Sequence, residues 1–228
     1  MGKRVAVLSA LLALLATFLL AQPAGAQEED PCASPPPGAI LGTAGNDVLR
    51  GTPGADFFAA GDGNDVILGR GGDDLVCAGL GSDKVVTGDG ADMVAADDLG
   101  FFGDPEAPGG NDVVVTGAGD DVVNGGPGAD FLPLAQGNDT GIGGSGDDLI
   151  IGGFGTDILL GSSGADQLFG GQASDLLNGG PGDDILVGDL PTPELGLPPI
   201  EDTGPNFDTC IGAGGTDQAF TCERTVAS

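Results

Sequence analysis

Residues 143–151 read Gly143-Gly144-Ser145-Gly146-Asp147-Asp148-Leu149-Ile150-Ile151. This stretch decides the fold because it recurs. Further clear copies are Gly125-Gly126-Pro127-Gly128-Ala129-Asp130, Gly152-Gly153-Phe154-Gly155-Thr156-Asp157 and Gly179-Gly180-Pro181-Gly182-Asp183-Asp184. Working outward, aspartates fall nine residues apart in three runs. The first is Asp47, Asp56, Asp65, Asp74, Asp83 and Asp92. The second is Asp112, Asp121, Asp130, Asp139, Asp148, Asp157, Asp166, Asp175 and Asp184, and a short third holds Asp208 and Asp217. A glycine sits two residues before nearly every one; Ala173 and Asn206 are the exceptions. A fixed short period means one small unit stacked many times.

The unit reads G-G-x-G-x-D-x-U-x, with U apolar. Its first six residues predict a turn, since glycine supplies backbone angles that other residues avoid. The last three predict a short strand. The U column holds Leu49, Phe58, Ile67, Val76, Val85 and Val94, then Val114, Val123, Leu132, Ile150, Leu159, Leu168, Leu177 and Leu186. Alternate strand residues face opposite sides, so this column points inward as the core. Gly141 interrupts it and marks a weak repeat. The residue after each aspartate is often apolar too: Val48, Phe57, Val66, Leu75, Val113, Phe131 and Ile158. Plain β-propensity explains that, and so does an outer face that packs on something. Two units make one coil of a flattened helix. The predicted fold is all-β: a parallel β-roll, or β-solenoid, of two short-stranded sheets with the turns along both edges.

Composition narrows the function classes. The chain carries 35 acids against 6 Lys and Arg, a formal charge of −29. Nucleic acid and anionic membrane surfaces are excluded as partners, because they need clustered cations. His, Trp and Tyr are absent. That removes imidazole acid–base chemistry and every His-ligated metal site. Glycine and proline exceed a quarter of the residues, which with a strict period indicates a turn-rich solenoid rather than disorder.

The N-terminus has the tripartite form of a secretory signal peptide. Lys3 and Arg4 precede an apolar run from Val5 to Leu20, and Ala24-Gly25-Ala26 offers a cleavage site. Cleavage removes two cations and no acid, so the charge moves from −29 to −31. The expected location is extracellular or at the cell surface, with no membrane insertion of the exported chain. The expected segments are signal peptide 1–26, N-terminal cap 27–40, first array 41–96, insertion loop 97–110 with Phe101-Phe102, second array 111–188, Pro-rich linker 189–203 and C-terminal cap 204–228. Cys32, Cys77, Cys210 and Cys222 in an exported chain predict two disulfides. Of three pairings, Cys32–Cys77 with Cys210–Cys222 is favoured, because each would staple one end of the array.

Aspartates eighteen residues apart stack on one edge, with strands about 4.8 Å apart. Like charges at that spacing repel by a few kcal/mol at the effective dielectric of a protein surface, ~20. A cation between stacked carboxylates reverses the sign. Carboxylate and carbonyl oxygens are hard ligands that select calcium over zinc or copper. The candidate ligands are the fifteen aspartates of the first two runs, stacked as Asp47 with Asp65 or Asp56 with Asp74, and in the second array from Asp112 with Asp130 to Asp166 with Asp184. No catalytic residue and no organic cofactor is expected.

These nonapeptides resemble the calcium-binding repeats of the repeats-in-toxin (RTX), or hemolysin-type, family, over about residues 41–188 with an echo at 204–218. The resemblance implies several calcium ions held by the repeat aspartates and by carbonyls of adjacent turns. Family toxins and hydrolases carry a separate functional domain, for which this chain has little room, and commonly use a C-terminal export signal. The resemblance therefore implies no cytolysin, protease or lipase activity. The expected function is a secreted, non-catalytic calcium-binding protein that folds on meeting extracellular calcium. Alternatives are an adhesion or surface-assembly module, with self-association or a cell-surface or glycan partner, and an accessory module of a polysaccharide-modifying enzyme.

Overall fold

A computed structural model of the chain describes residues 32, 34–97, 109–189, 209–212, 218–220, 222 and 224–227. The signal peptide, Phe101-Phe102, the prolines of the linker and the third run, Asp208 and Asp217, lie outside the described residues. Among the described residues every element is a strand. Residues from Pro35 onward form one compact unit.

Successive strands alternate between two sheets, one of ten strands and one of nine. The larger begins with Ile40–Leu41 and Phe57–Ala59 and ends with Arg224–Ala227. The smaller begins with Val48–Arg50 and ends with Gln218–Phe220. All neighbours are parallel, and partners in the arrays stand eighteen residues apart, as in Val48 with Val66 and Leu132 with Ile150. This is the parallel β-roll that the nine-residue period predicts.

The insertion does not divide the roll. Val85 pairs with Val114 and Val94 with Val123. Eleven residues, 98–108, separate Asp97 from Gly109, and neither sheet loses register across them. The strands beyond the linker also return to the same sheets, with Leu177 opposite Cys210 and Leu186 opposite Ala219. The pair Cys210–Cys222 is bonded as favoured, with Cα atoms 6.1 Å apart, and Cys32 and Cys77 are likewise disulfide-bonded.

The apolar column forms the core. Phe58, Ile67, Val76, Val85, Val94, Val114, Val123, Leu132, Ile150, Leu159, Leu168 and Leu177 have no exposed surface. The strands differ from expectation in length. In the second array they run to six residues, as in Val122–Pro127, Thr140–Ser145 and Leu149–Phe154. They continue into the glycine pair of the next repeat. The in–out alternation persists there, so the first glycine of each pair, such as Gly125, Gly143 and Gly152, is buried. The weak repeat at Gly141 is repaired from a neighbouring strand. A Cβ on Gly141 would lie 3.0 Å from a methyl of Leu134 and 3.0 Å from one of Ile150. Leu134, standing where the repeat pattern places glycine, fills the gap in the core.

Candidate metal sites

Thirteen of the fifteen candidate aspartates, from Asp65 to Asp184, are at most 3% exposed; Asp47 and Asp56, in the first coils, are half-buried. The sequence places them at strand starts. Their backbone carbonyls accept strand N–H groups, as in Leu149 N–H to Asp130 O at 2.9 Å. Their side chains turn inward and stack in two ladders. Oδ1 of each aspartate accepts the backbone N–H of the aspartate one coil earlier. Asp47 donates to Asp65 at 2.7 Å, Asp112 to Asp130 at 2.8 Å, and Asp130 to Asp148 and Asp148 to Asp166 both at 2.9 Å. The ladders cross the insertion, where Asp83 donates to Asp112 and Asp92 to Asp121. On the other edge Asp139 donates to Asp157 and Asp157 to Asp175, both at 2.9 Å.

The second carboxylate oxygen is the chemically telling one. In Asp74, Asp130, Asp148, Asp157 and Asp166, Oδ2 is buried and has no hydrogen-bond partner. It points over the first glycine of its own repeat. A Cβ on Gly125, Gly143, Gly152 or Gly161 would collide with the Oδ2 of Asp130, Asp148, Asp157 or Asp166 respectively. The same point lies 2.6–2.8 Å from a backbone carbonyl of the next coil: Gly143 O, Gly161 O, Gly170 O and Gly179 O in turn. A carboxylate oxygen and a carbonyl oxygen thus converge on a space that only glycine leaves open. Calcium takes about six to eight such oxygens at about 2.3–2.6 Å. Among the described residues no three acidic or cysteine side chains cluster, so a site here takes most of its oxygens from the backbone. The donor chemistry fits calcium.

Burial raises the pKa of these carboxyls, and the N–H from the previous aspartate offsets the rise only in part. Asp112 and Asp148 are pushed up to about 8 and Asp139 to about 7. Asp74, Asp83, Asp130, Asp157 and Asp166 rise to about 6, and Asp65 and Asp121 also rise. Charges on neighbouring carboxylates add to the effect at Asp74, Asp112, Asp139 and Asp148. Without a cation the ladders resist ionisation.

The first two aspartates differ. Oδ2 of Asp47 accepts from Thr43 N–H and its hydroxyl, and Oδ2 of Asp56 from Thr52 N–H and its hydroxyl. Each caps its own turn.

Two sets of residues escaped sequence reasoning. The residue before each repeat aspartate forms a second ladder on the outside. Asn46 Oδ1 accepts from Asn64 N–H, Asn64 Oδ1 from Ser82 N–H and Asn111 Oδ1 from Ala129 N–H. Asp120 and Asn138 do the same on the opposite edge. The signal was present, since Asn, Asp or Ser recurs at that position. Asp97 is the other. It is 7% exposed, accepts from Gly110 N–H at 3.3 Å and raises the pKa of Asp112 by its charge. It lies outside the nine-residue register, so no periodicity could find it.

The family model for the RTX calcium-binding nonapeptide repeat, four copies, matches residues 41–76, 109–132, 135–168 and 160–190. Together these cover just over half of the chain and leave residues 77–108 between the first two matches. No curated protein matches the chain. Repeats of this family bind calcium, and the ladders of buried aspartates fit several ions. With the parallel β-roll and the repeat model in agreement, the chain belongs to the family of RTX calcium-binding nonapeptide repeat proteins.

Proposed function

We propose that this is a secreted, non-catalytic calcium-binding protein whose roll folds when it meets extracellular calcium, with the repeat aspartates as side-chain ligands. The observation that carries the reading is the row of buried Oδ2 atoms without partners, each facing a carbonyl of the next coil. The chain has 6 basic residues for 35 acids, so its own cations are too few to neutralise the rows. Unfolded, such a chain is held open by charge repulsion. Binding that requires the folded ladders adds its free energy to folding. Extracellular calcium modules work at roughly 10⁻⁴–10⁻³ M. That range keeps the chain open inside the cell and closes it outside.

Far-UV circular dichroism of the chelated protein, titrated with calcium and with magnesium as control, tests this. A cooperative gain of β structure with calcium alone is the expected result. Full β structure in chelator, unchanged by calcium, overturns it.

A second reading, calcium-dependent adhesion or surface assembly, is favoured by the outer columns. Val48, Phe131 and Phe154 are exposed on strands of the nine-stranded sheet, and Leu68, Ile151 and Phe169 lie half-buried on strands of the same sheet. Calcium-dependent oligomers in sedimentation support it, and a monomer at high concentration counts against it.

A further inference from the structure

The first position of the repeat, which forms the floor of each calcium cradle, is not glycine throughout. On one edge the successive coils place Gly42, Ala60, Ala78, Ala96 and Gly125 there; on the other they place Gly69, Thr87, Thr116, Leu134 and Gly152. Three consecutive coils on each edge therefore carry a real Cβ. All six residues are buried: Ala60, Ala78, Ala96, Thr87 and Leu134 have no exposed surface and Thr116 has 3%. The four apolar ones belong to the core cluster. At Gly51, Gly69, Gly125, Gly143, Gly152 and Gly161 a Cβ at this position would collide with the aspartate Oδ2 and crowd or strike the carbonyl that faces it; at Gly170 and Gly179 it would collide with the aspartate Oδ2. Where a Cβ is present, carbon occupies the space in which those two oxygens would share an ion. The blocked coils lie side by side on the two edges, around the stretch 77–108 that the repeat model passes over.

We propose that the roll is divided along its axis into a calcium-free middle of three coils on each edge, Ala60 to Ala96 on one and Thr87 to Leu134 on the other, and calcium-loaded coils on the glycine floors. This rests on the reading of the aspartates as calcium ligands. Asp65, Asp83, Asp92, Asp112, Asp121 and Asp139 sit on the blocked floors and serve the fold through Oδ1, which accepts the N–H of the previous coil; their Oδ2 atoms are buried and unpartnered too, so the Cβ on the floor, not the carboxylate, sets these coils apart. The Thr116 hydroxyl donates to the Leu134 carbonyl of the next coil. Asp47 and Asp56 have Oδ2 already capped by Thr43 and Thr52. The open floors are Gly69, Gly125 and the five at nine-residue intervals from Gly143 to Gly179, seven in all. Fifteen repeats of one apparent motif thus hold about half as many ions, most of them in the C-terminal half.

Bound calcium per chain, measured by elemental analysis after equilibrium dialysis of the full protein at saturating calcium, tests the division. Seven ions are expected. Gly161→Ala, which closes one floor, lowers the number by one. Ala78→Gly, which opens one, raises it by one and does not depend on Gly161→Ala folding. A count near fifteen, or a count unmoved by Ala78→Gly in a protein with normal circular dichroism, overturns the proposal and leaves the calcium reading standing. No calcium bound at all overturns both.

Discussion

At the scale of single residues, the backbone conformation sorts the repeat's glycines from their substitutes. Among the described residues four non-glycines have positive φ: Arg70 at 87°, Ala135 at 80°, Ser162 at 80° and Ala173 at 82°. Ala173 is the one place in the second run where the glycine before an aspartate is missing. An L side chain in that region costs about 1–2 kcal/mol, less what glycine loses in chain entropy. Ala173→Gly is expected to stabilise the calcium-loaded protein by about 1 kcal/mol, read as a rise in thermal midpoint of a few degrees. The reverse change is severe: Gly155 has φ 126° and its Cβ would strike the carbonyl of Gly137. Among the aspartates, Asp148→Asn separates charge from hydrogen bonding. The amide oxygen still accepts the N–H of Asp130, but the unpartnered anion is gone. Above about pH 8, where Asp148 ionises in the metal-free protein, that protein is expected to gain roughly 1–3 kcal/mol, the cost of an unsatisfied buried group. The loaded protein is expected to bind one ion fewer. Urea unfolding in chelator and elemental analysis check the two halves.

At the scale of strands, the weak repeat around Asp139 shows how one element compensates for another. Thr140–Ser145 brings Gly141 to the core column, and Phe131–Gln136 supplies Leu134 against it. Leu134→Ala leaves a cavity beside Gly141, with an expected loss of about 2–5 kcal/mol. The paired change Leu134→Ala with Gly141→Ala is expected to recover part of that loss, because the second methyl enters the space vacated by the first. A double-mutant cycle by denaturant unfolding measures the coupling. Independent, additive losses would mean that the two positions do not share a cavity. At the C-terminal end, Cys210 in the ten-stranded sheet is buried and bonded to Cys222. This ties the strand Thr209–Gly212 to the segment that leads into Arg224–Ala227, the last described strand of that sheet.

At the scale of the molecule, the ladders couple stability to pH. The folded pKa values of Asp112, Asp139 and Asp148 stand at about 8, 7 and 8, above the unfolded value of 3.8. A folded pKa above the unfolded one means that the folded state binds more protons between the two. That contribution is fully present below about pH 4 and is lost as pH rises through the folded pKa values, to about 8. The calcium-free protein is therefore expected to show a falling urea midpoint from pH 4 to pH 8, and saturating calcium is expected to flatten the slope. A midpoint that rises with pH in chelator would contradict the burial of the carboxyls. The formal charge of −29 adds a second, salt-sensitive destabilisation in the same direction.

The nine-residue period alone determined the parallel roll, its inward column and the choice of cation. Period, strand alternation and hard oxygen ligands are properties of local sequence, repeated often enough to leave one solution. The stacking of Asp47 under Asp65 and of Asp130 under Asp148 was legible for the same reason. What the tertiary structure decided are the relations between coils. It joined Asp83 to Asp112 and Asp92 to Asp121 across the insertion, where the strands on either side keep their register. It lengthened the strands into the glycine pairs, set Leu134 against Gly141 and brought Asp97 beside Asp112. Each depends on what one coil presents to the next, eighteen or twenty-nine residues away, and a pattern read nine residues at a time does not contain that contact.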